Sequence, residues 1–164
     1  MKTLFLIRHA KSSWADPGMD DFDRPLNERG LADAPEMAKR LRKSKYPIDL
    51  IISSPAKRAY KTAKIFAETF GIHKKDIQLA DQLYLAPAET IQQVLADISK
   101  DVDHVALFAH NPGITDFANR LTNAHIDDMP TCAVFAAAAD VEDWSAIAGH
   151  NWNFLFFDAP KKSH

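Results

Sequence analysis

The sequence predicts a three-layer α/β domain, with helices on both faces of a mainly parallel sheet, and three observations carry that prediction. Short apolar runs bounded by charged or turn-forming residues recur along the chain, as fully buried strands would. Between them lie longer stretches whose apolar residues recur at helical spacing. The two kinds of segment alternate, which is the order of a sheet covered on both faces. With 164 residues, 46% of them apolar and 26% charged, the chain suits one domain spanning residues 1–164 and needs no disulfide or metal to hold its core.

The first run, Thr3 to Ile7, stops at Arg8-His9 and reads as a buried strand delivering that pair at its C-terminal end. Ala10 to Pro25 is polar, with Pro17, Gly18 and four aspartates, and reads as a loop before that strand end. Asn27 can cap a helix carrying Leu31, Ala34, Ala38 and Leu41, with Pro35 expected to kink or delay it. Asp49 to Ser53 is a second buried strand. Ser54-Pro55 then supplies a cap and a first-turn proline for a helix ending at Gly71, which would place Arg58 one turn in. Ile77 to Leu79 suits a short strand, and Pro87 opens a helix with Ile91, Val94, Leu95 and Ile98 on one face. His104 to Ala109 is a further strand ending at His110, and Pro112 starts another helix. Thr131 to Ala139 and Asn153 to Phe157 are the last strand candidates.

Composition removes several classes of function. A formal charge of -2 leaves no broad basic surface, so nucleic acid is not an expected partner and any attraction for phosphate is local. The lone Cys132 cannot form an internal disulfide, and no run approaches the ~20 apolar residues of a membrane helix. The apolar run before Arg8 is too short for a signal peptide, so a cytoplasmic protein is expected. The glycine-rich phosphate loop, the dinucleotide fingerprint, HExxH and GxSxG are all missing, and Cys132 lies among alanines with no basic residue beside it.

In open sheets ligands bind beyond the carboxyl ends of the strands, where Arg8-His9, Ser53-Ser54 and His110 all fall. A neutral imidazole can attack phosphorus when its second nitrogen donates to a fixed acceptor, and His9 is placed for that. The charge on a transferring phosphoryl group suits planar arginines, and Arg8, Arg24 and Arg58 are the candidates. Backbone N–H groups at the start of the Pro55 helix and along His110 to Gly113 can add donors. Arg24 has another reading, a surface ion pair with Asp20, Asp21 or Asp23. Trp14 either packs the loop over the site or belongs to the core. Lys11, Lys57 and Lys61 either rim the crevice or are solvated. His73, His104, His125, His150 and His164 lack paired ligand spacing, so no metal and no cofactor is expected.

Arg8-His9-Ala10 resembles the Arg-His-Gly signature of the histidine phosphatase superfamily. Ser53 to Ala59 with Thr62-Ala63 resembles its second motif, and His110-Asn111-Pro112-Gly113 its third. Arg24-Pro25-Leu26 with Gly30 is similar to the small SixA-type phosphohistidine phosphatases. The resemblance implies a phosphoglycerate mutase-like fold and a metal-independent phosphatase. In that family His9 would be transiently phosphorylated while Arg8, Arg58 and His110 hold the phosphoryl oxygens, with Arg24 also reaching the phosphate. The implied partner is a protein carrying phosphohistidine, or alternatively a small phosphorylated molecule handled by a phosphomonoesterase or phosphomutase. A non-catalytic phosphoprotein-binding module is a third reading, against which an intact His9 and His110 argue. Two departures stand out. Ala10 replaces the glycine, and Leu83-Tyr84-Leu85 occupies the segment where mutase-like members place a carboxylic acid, leaving Glu89 as the nearest downstream candidate.

Overall fold

A computed structural model describes residues 1–160. Its strands are β1 (Lys2–Arg8), β2 (Leu50–Ser53), β3 (Gln78–Leu79), β4 (His104–Ala109), β5 (Val134–Ala139) and β6 (Asn153–Asp158). Its helices are α1 (Glu28–Lys43), α2 (Lys57–Thr69), α3 (Ala88–Ala96) and α4 (Gly113–Leu121), joined in places by short 3-10 turns. The strands form one sheet in the order β3-β2-β4-β1-β5-β6.

Residue alternation in the central strands sorts the two faces. Leu4, Leu6, Val105 and Leu107 point to one side, where they meet Ile91 and Leu95 of α3 and Ile114 and Phe117 of α4. Phe5, Ile7, Ala106 and Phe108 point to the other, against Met37 and Leu41 of α1 and Ala63 and Phe66 of α2. Each fully buried large side chain contributes about 1.5–3 kcal/mol, which is why these strands are apolar throughout rather than alternating.

The sheet is more mixed than the sequence suggests. β1, β2, β3 and β4 are mutually parallel, but β5 runs antiparallel to β1, and β6 antiparallel to β5. The cause is the return from α4. That helix leaves the C-terminal edge of β4, and residues 122–133 climb back to the same edge without a second helix. β5 therefore starts there and must run downward, with Cys132 N–H donating to the carbonyls of Arg8 (3.1 Å) and His9 (3.0 Å).

Helix starts and stops follow local chemistry, with three corrections. Asn27 caps α1 as expected, its side chain accepting from Gly30 N at 2.8 Å, yet Leu31 is 47% exposed and the buried stripe runs through Ala34, Met37, Ala38 and Leu41 instead. Pro35 does not delay α1, which runs through it. α2 begins at Lys57 rather than Pro55, since the Ser54 hydroxyl caps Ala56 N (3.2 Å) in a turn ahead of the helix, and Arg58 is therefore its second residue. Gly71 ends that helix in the left-handed region (φ 71°), where glycine carries no steric cost.

Two glycines allow backbones to touch near the C-terminal edge. A Cβ on Gly30 would lie 2.2 Å from the Lys11 carbonyl, and one on Gly113 only 1.8 Å from that of Ala86. Gly30→Ala and Gly113→Ala are each expected to lower unfolding stability by about 1–3 kcal/mol, the scale of overpacking, as read from urea midpoints.

Candidate active site

Because β2, β4 and β1 are adjacent and parallel, their last residues share one edge of the sheet. His9 N–H donates to Ala109 O (3.2 Å) and Ser54 N–H to Phe108 O (3.0 Å), fastening the exits side by side. Above them opens a crevice of about 410 Å³. The loop after β1 supplies one wall through Lys11, Ser12, Trp14, Asp21 and Arg24. Arg8, His9, Arg58, His110, Asn111, Leu85 and Thr131 complete the lining. Four cationic side chains, Arg8, Lys11, Arg24 and Arg58, face one carboxylate, Asp21.

His9 is 7% exposed, and its Nδ1 lies 2.8 Å from the carbonyl of Ala10. A carbonyl can only accept, so Nδ1 carries the proton and Nε2 keeps its lone pair. The ring of His110 lies 5.1 Å from that of His9, and its Nε2 is 2.7 Å from the Ser54 hydroxyl. Among the described residues, the Nδ1 of His110 and the Nε of Arg8 are buried without a hydrogen-bond partner. The Arg8 guanidinium is held by donation to Met129 O at 2.9 Å. Thr62 joins two of the segments, its hydroxyl accepting from Ala10 N (3.0 Å) and donating to Arg58 O (2.8 Å).

Residues 4–84 match the family model described as histidine phosphatase superfamily, branch 1. The solved structure of the putative phosphohistidine phosphatase SixA from Agrobacterium tumefaciens superposes with a TM-score of 0.83 at 32% identity, covering 98% of this chain and 99% of that one. The chain belongs to the histidine phosphatase superfamily. Its fold is the phosphoglycerate mutase-like α/β fold of its SixA neighbours. An uncharacterised chloroplastic protein of Arabidopsis thaliana is 30% identical over 99% of this chain and 79% of its own length. Phosphoserine phosphatase 1 of Hydrogenobacter thermophilus is 43% identical over a shorter stretch, 42% of this chain and 32% of that protein.

In this histidine phosphatase, Arg8, His9, Arg24, Arg58 and His110 all line the one crevice. Glu89 does not. It stands in the first turn of α3, exposed to solvent, and pairs with Arg120 at 2.5 Å, an ion pair that also lowers its pKa. Arg24 meets both of its alternatives, being 7% exposed in the crevice and paired with Asp21 at 2.8 Å. Its remaining donors reach Ser13 O (3.1 Å) and the Ser12 hydroxyl, while the Trp14 ring stacks 3.2 Å below the guanidinium carbon. Trp14 is 76% exposed, so it is crevice wall and not core. Lys11 lines the crevice, whereas Lys57 and Lys61 face elsewhere. His73, His104, His125 and His150 lie outside the crevice, and His164 is beyond the described residues.

Sequence reasoning names Asp21 only as one of three possible partners of Arg24, and the place of Asp21 and Tyr84 in the site itself is what it misses. The Asp21 carboxylate spans Arg24 and Arg58, the latter at 3.0 Å, and accepts from the Tyr84 hydroxyl at 2.5 Å, while its carbonyl accepts from Arg58 Nη1 at 2.7 Å. Tyr84 also packs edge-on against His110 with ring centres 5.7 Å apart. Among the aspartates at 16, 20, 21 and 23, nothing local in the sequence marks Asp21. The departure at Leu83-Tyr84-Leu85 is the available signal, because a hydroxyl replacing an acid needs a partner.

Burial, followed by the charges of Arg58, Arg8 and Arg24, pushes the His9 pKa down to about 4. Burial, His9 and the nearby arginines push His110 down to about 3. The hydrogen bond from Tyr84, reinforced by Arg24 and Arg58, holds Asp21 at about 2. Burial raises the Cys132 thiol well above its ordinary range, which removes it as a nucleophile. An unfolded histidine charges near 6.5, so between that pH and about 4 the unfolded chain binds more protons than the folded one. Stability supplied by these neutral rings is therefore full above about pH 6.5 and is lost as pH falls toward 4. Imidazole NMR is expected to find His9 and His110 still neutral at about pH 5; an imidazolium signal from His9 at about pH 6 would contradict the assignment.

Proposed function

We propose that this histidine phosphatase removes phosphate from phosphohistidine in proteins, without a metal, through a phosphohistidine formed on His9. His9 Nε2 attacks phosphorus as the substrate's P–N bond breaks, and the substrate ring, protonated on its second nitrogen, takes the bonding pair and leaves as neutral imidazole. Water then attacks the new phosphohistidine, releasing phosphate and restoring the free imidazole. Arg8, Arg58 and His110 hold the phosphoryl oxygens, the otherwise unpartnered Arg8 Nε and His110 Nδ1 being suited to that use, and Arg24 adds charge from the rim. We also take the chain to be one domain acting in the cytoplasm, where its unpaired Cys132 would persist.

The observation that carries the substrate class is the state of the crevice carboxylate. Releasing an alkoxide from a phosphate ester calls for a protonated acid, and Asp21 is held ionised by Tyr84, Arg24 and Arg58. A phosphohistidine ring protonated on its far nitrogen already carries the proton it needs and leaves as neutral imidazole without such help. The whole-chain likeness to the SixA structure supports the same reading. A small-molecule phosphomonoesterase is the second reading, favoured by the likeness of part of the chain to a phosphoserine phosphatase.

The test is kcat/KM with a phosphohistidine peptide against phosphoserine and glycerol phosphate, with chelator present. General acid assistance is worth about 10²–10⁴-fold, so phosphohistidine should lead by that order. Glu89→Gln should change neither activity by more than about twofold, as befits a solvated ion pair. A preference for phosphoserine would replace the first reading with the second.

A further inference from the structure

Beside the crevice, between the start of α1 and the exposed side of α2, lies a groove of about 330 Å³ that the proposed chemistry does not use. Leu26, Leu31, Tyr60 and the ring of Pro25 supply its apolar surface, and Leu31 is 47% exposed although it follows a helix cap where a polar residue would serve as well. Lys57, Lys61 and Lys64 border it. Their spacing puts all three on one face of α2.

This arrangement works against the isolated helix. Lys57 is the first residue of α2, where the helix dipole disfavours a cation, and no acidic residue occupies that turn. Lys57 and Lys61 repel at i, i+4. Among the described residues none of the three lysines forms an ion pair with a carboxylate. Burial and the charges of Lys61, Lys74 and Lys57 together lower the pKa of Lys64, whose ammonium lies 4.4 Å from the Tyr60 ring centre. On a chain of net charge -2, an unpaired lysine stripe around exposed apolar surface is a complement waiting for acidic groups.

We propose that this groove docks an acidic, apolar-anchored segment of the phosphorylated substrate protein, close in sequence to its phosphohistidine. The proposal rests on the phosphohistidine reading above. Crevice and groove are contiguous through the chain itself, since Arg24 lines the first and Pro25 the second, and Arg58 and Lys57 divide in the same way. A substrate with its phosphoryl group at His9 would therefore lay neighbouring residues along the groove, carboxylates toward the lysines and an aliphatic side chain against Leu31 and Tyr60.

Two peptides test this, identical around one histidine but flanked by Glu and Leu in the first and Lys and Leu in the second. Each is phosphorylated chemically for kinetics and carries a fluorophore, unphosphorylated, for anisotropy. The intact protein is expected to bind the acidic peptide, and to turn over its phosphorylated form with lower KM, by at least about tenfold over the basic one, and to lose that margin in high salt. Lys61→Glu/Lys64→Glu should abolish the margin while leaving turnover of para-nitrophenyl phosphate unchanged. Equal binding of the two peptides, or a margin that survives in the double variant, overturns the proposal. So does sedimentation showing that the groove is covered by a second copy of the chain. If neither phosphopeptide is hydrolysed, the substrate reading fails, and the unphosphorylated binding data still decide the docking.

Discussion

His9→Ala is expected to lose at least ~10⁴-fold in kcat with every substrate the protein turns over, because no other group in the crevice can replace an imidazole nitrogen. The alternatives are excluded by chemistry. His110 accepts from Ser54 at Nε2 and so carries its proton on Nδ1, the nitrogen that faces the phosphoryl oxygens as a donor, Cys132 is a buried thiol with a raised pKa, and Lys11 presents an ammonium with no lone pair. The His9 ring is bonded to Ala10 and packed against His110, but it lines the crevice, so its removal enlarges an existing opening and the variant should keep its fold, as circular dichroism and the urea midpoint would report. Loss of activity with the fold intact separates a chemical role from a structural one.

Arg58→Ala is expected to cost at least ~100-fold in kcat/KM, with most of the loss in kcat, and Arg8→Ala a similar amount. Arg58 is 3% exposed and anchored by both the carbonyl and the carboxylate of Asp21, so its charge is fixed before any phosphate arrives. A preorganised donor of this kind acts where charge develops in the transition state. Arg58→Lys should restore little, since an ammonium cannot keep two Asp21 contacts and still present a donor to phosphorus-bound oxygens. Arg24→Ala should lose less than either, because its guanidinium already serves Ser12, Ser13 and Asp21. Steady-state kinetics on purified variants measures all four, and an Arg24→Ala loss equal to that of Arg8→Ala would promote Arg24 into the phosphate clamp.

What the sequence made legible is what local pattern controls. β1 could be read because a fully buried strand must be apolar on both faces, and Arg8-His9 because a charged pair ends such a run. Asn27, Gly71 and Pro87 mark helix ends by chemistry confined to a few residues. The direction of β5 was not readable in this way, since it depends on whether residues 122–133 return as loop or helix. Leu31 fits the helical spacing of α1, and only the neighbours of the helix decide that it borders a groove. The same holds for the carboxylates. Asp21 and Glu89 look alike as residues, and the distinction between a crevice carboxylate bound by two arginines and a solvated one bound by Arg120 exists only after folding.

Phosphoryl transfer in this crevice is expected to be covalent, through His9. It is tested most directly by mixing the protein with substrate, quenching in alkali within milliseconds and mapping the trapped phosphate by peptide mass spectrometry. An acid-labile, alkali-stable phosphoryl group is expected on the peptide containing His9, formed at least as fast as turnover and absent from His9→Ala. Turnover without any such species, or a phosphoryl group trapped on another residue, would contradict it.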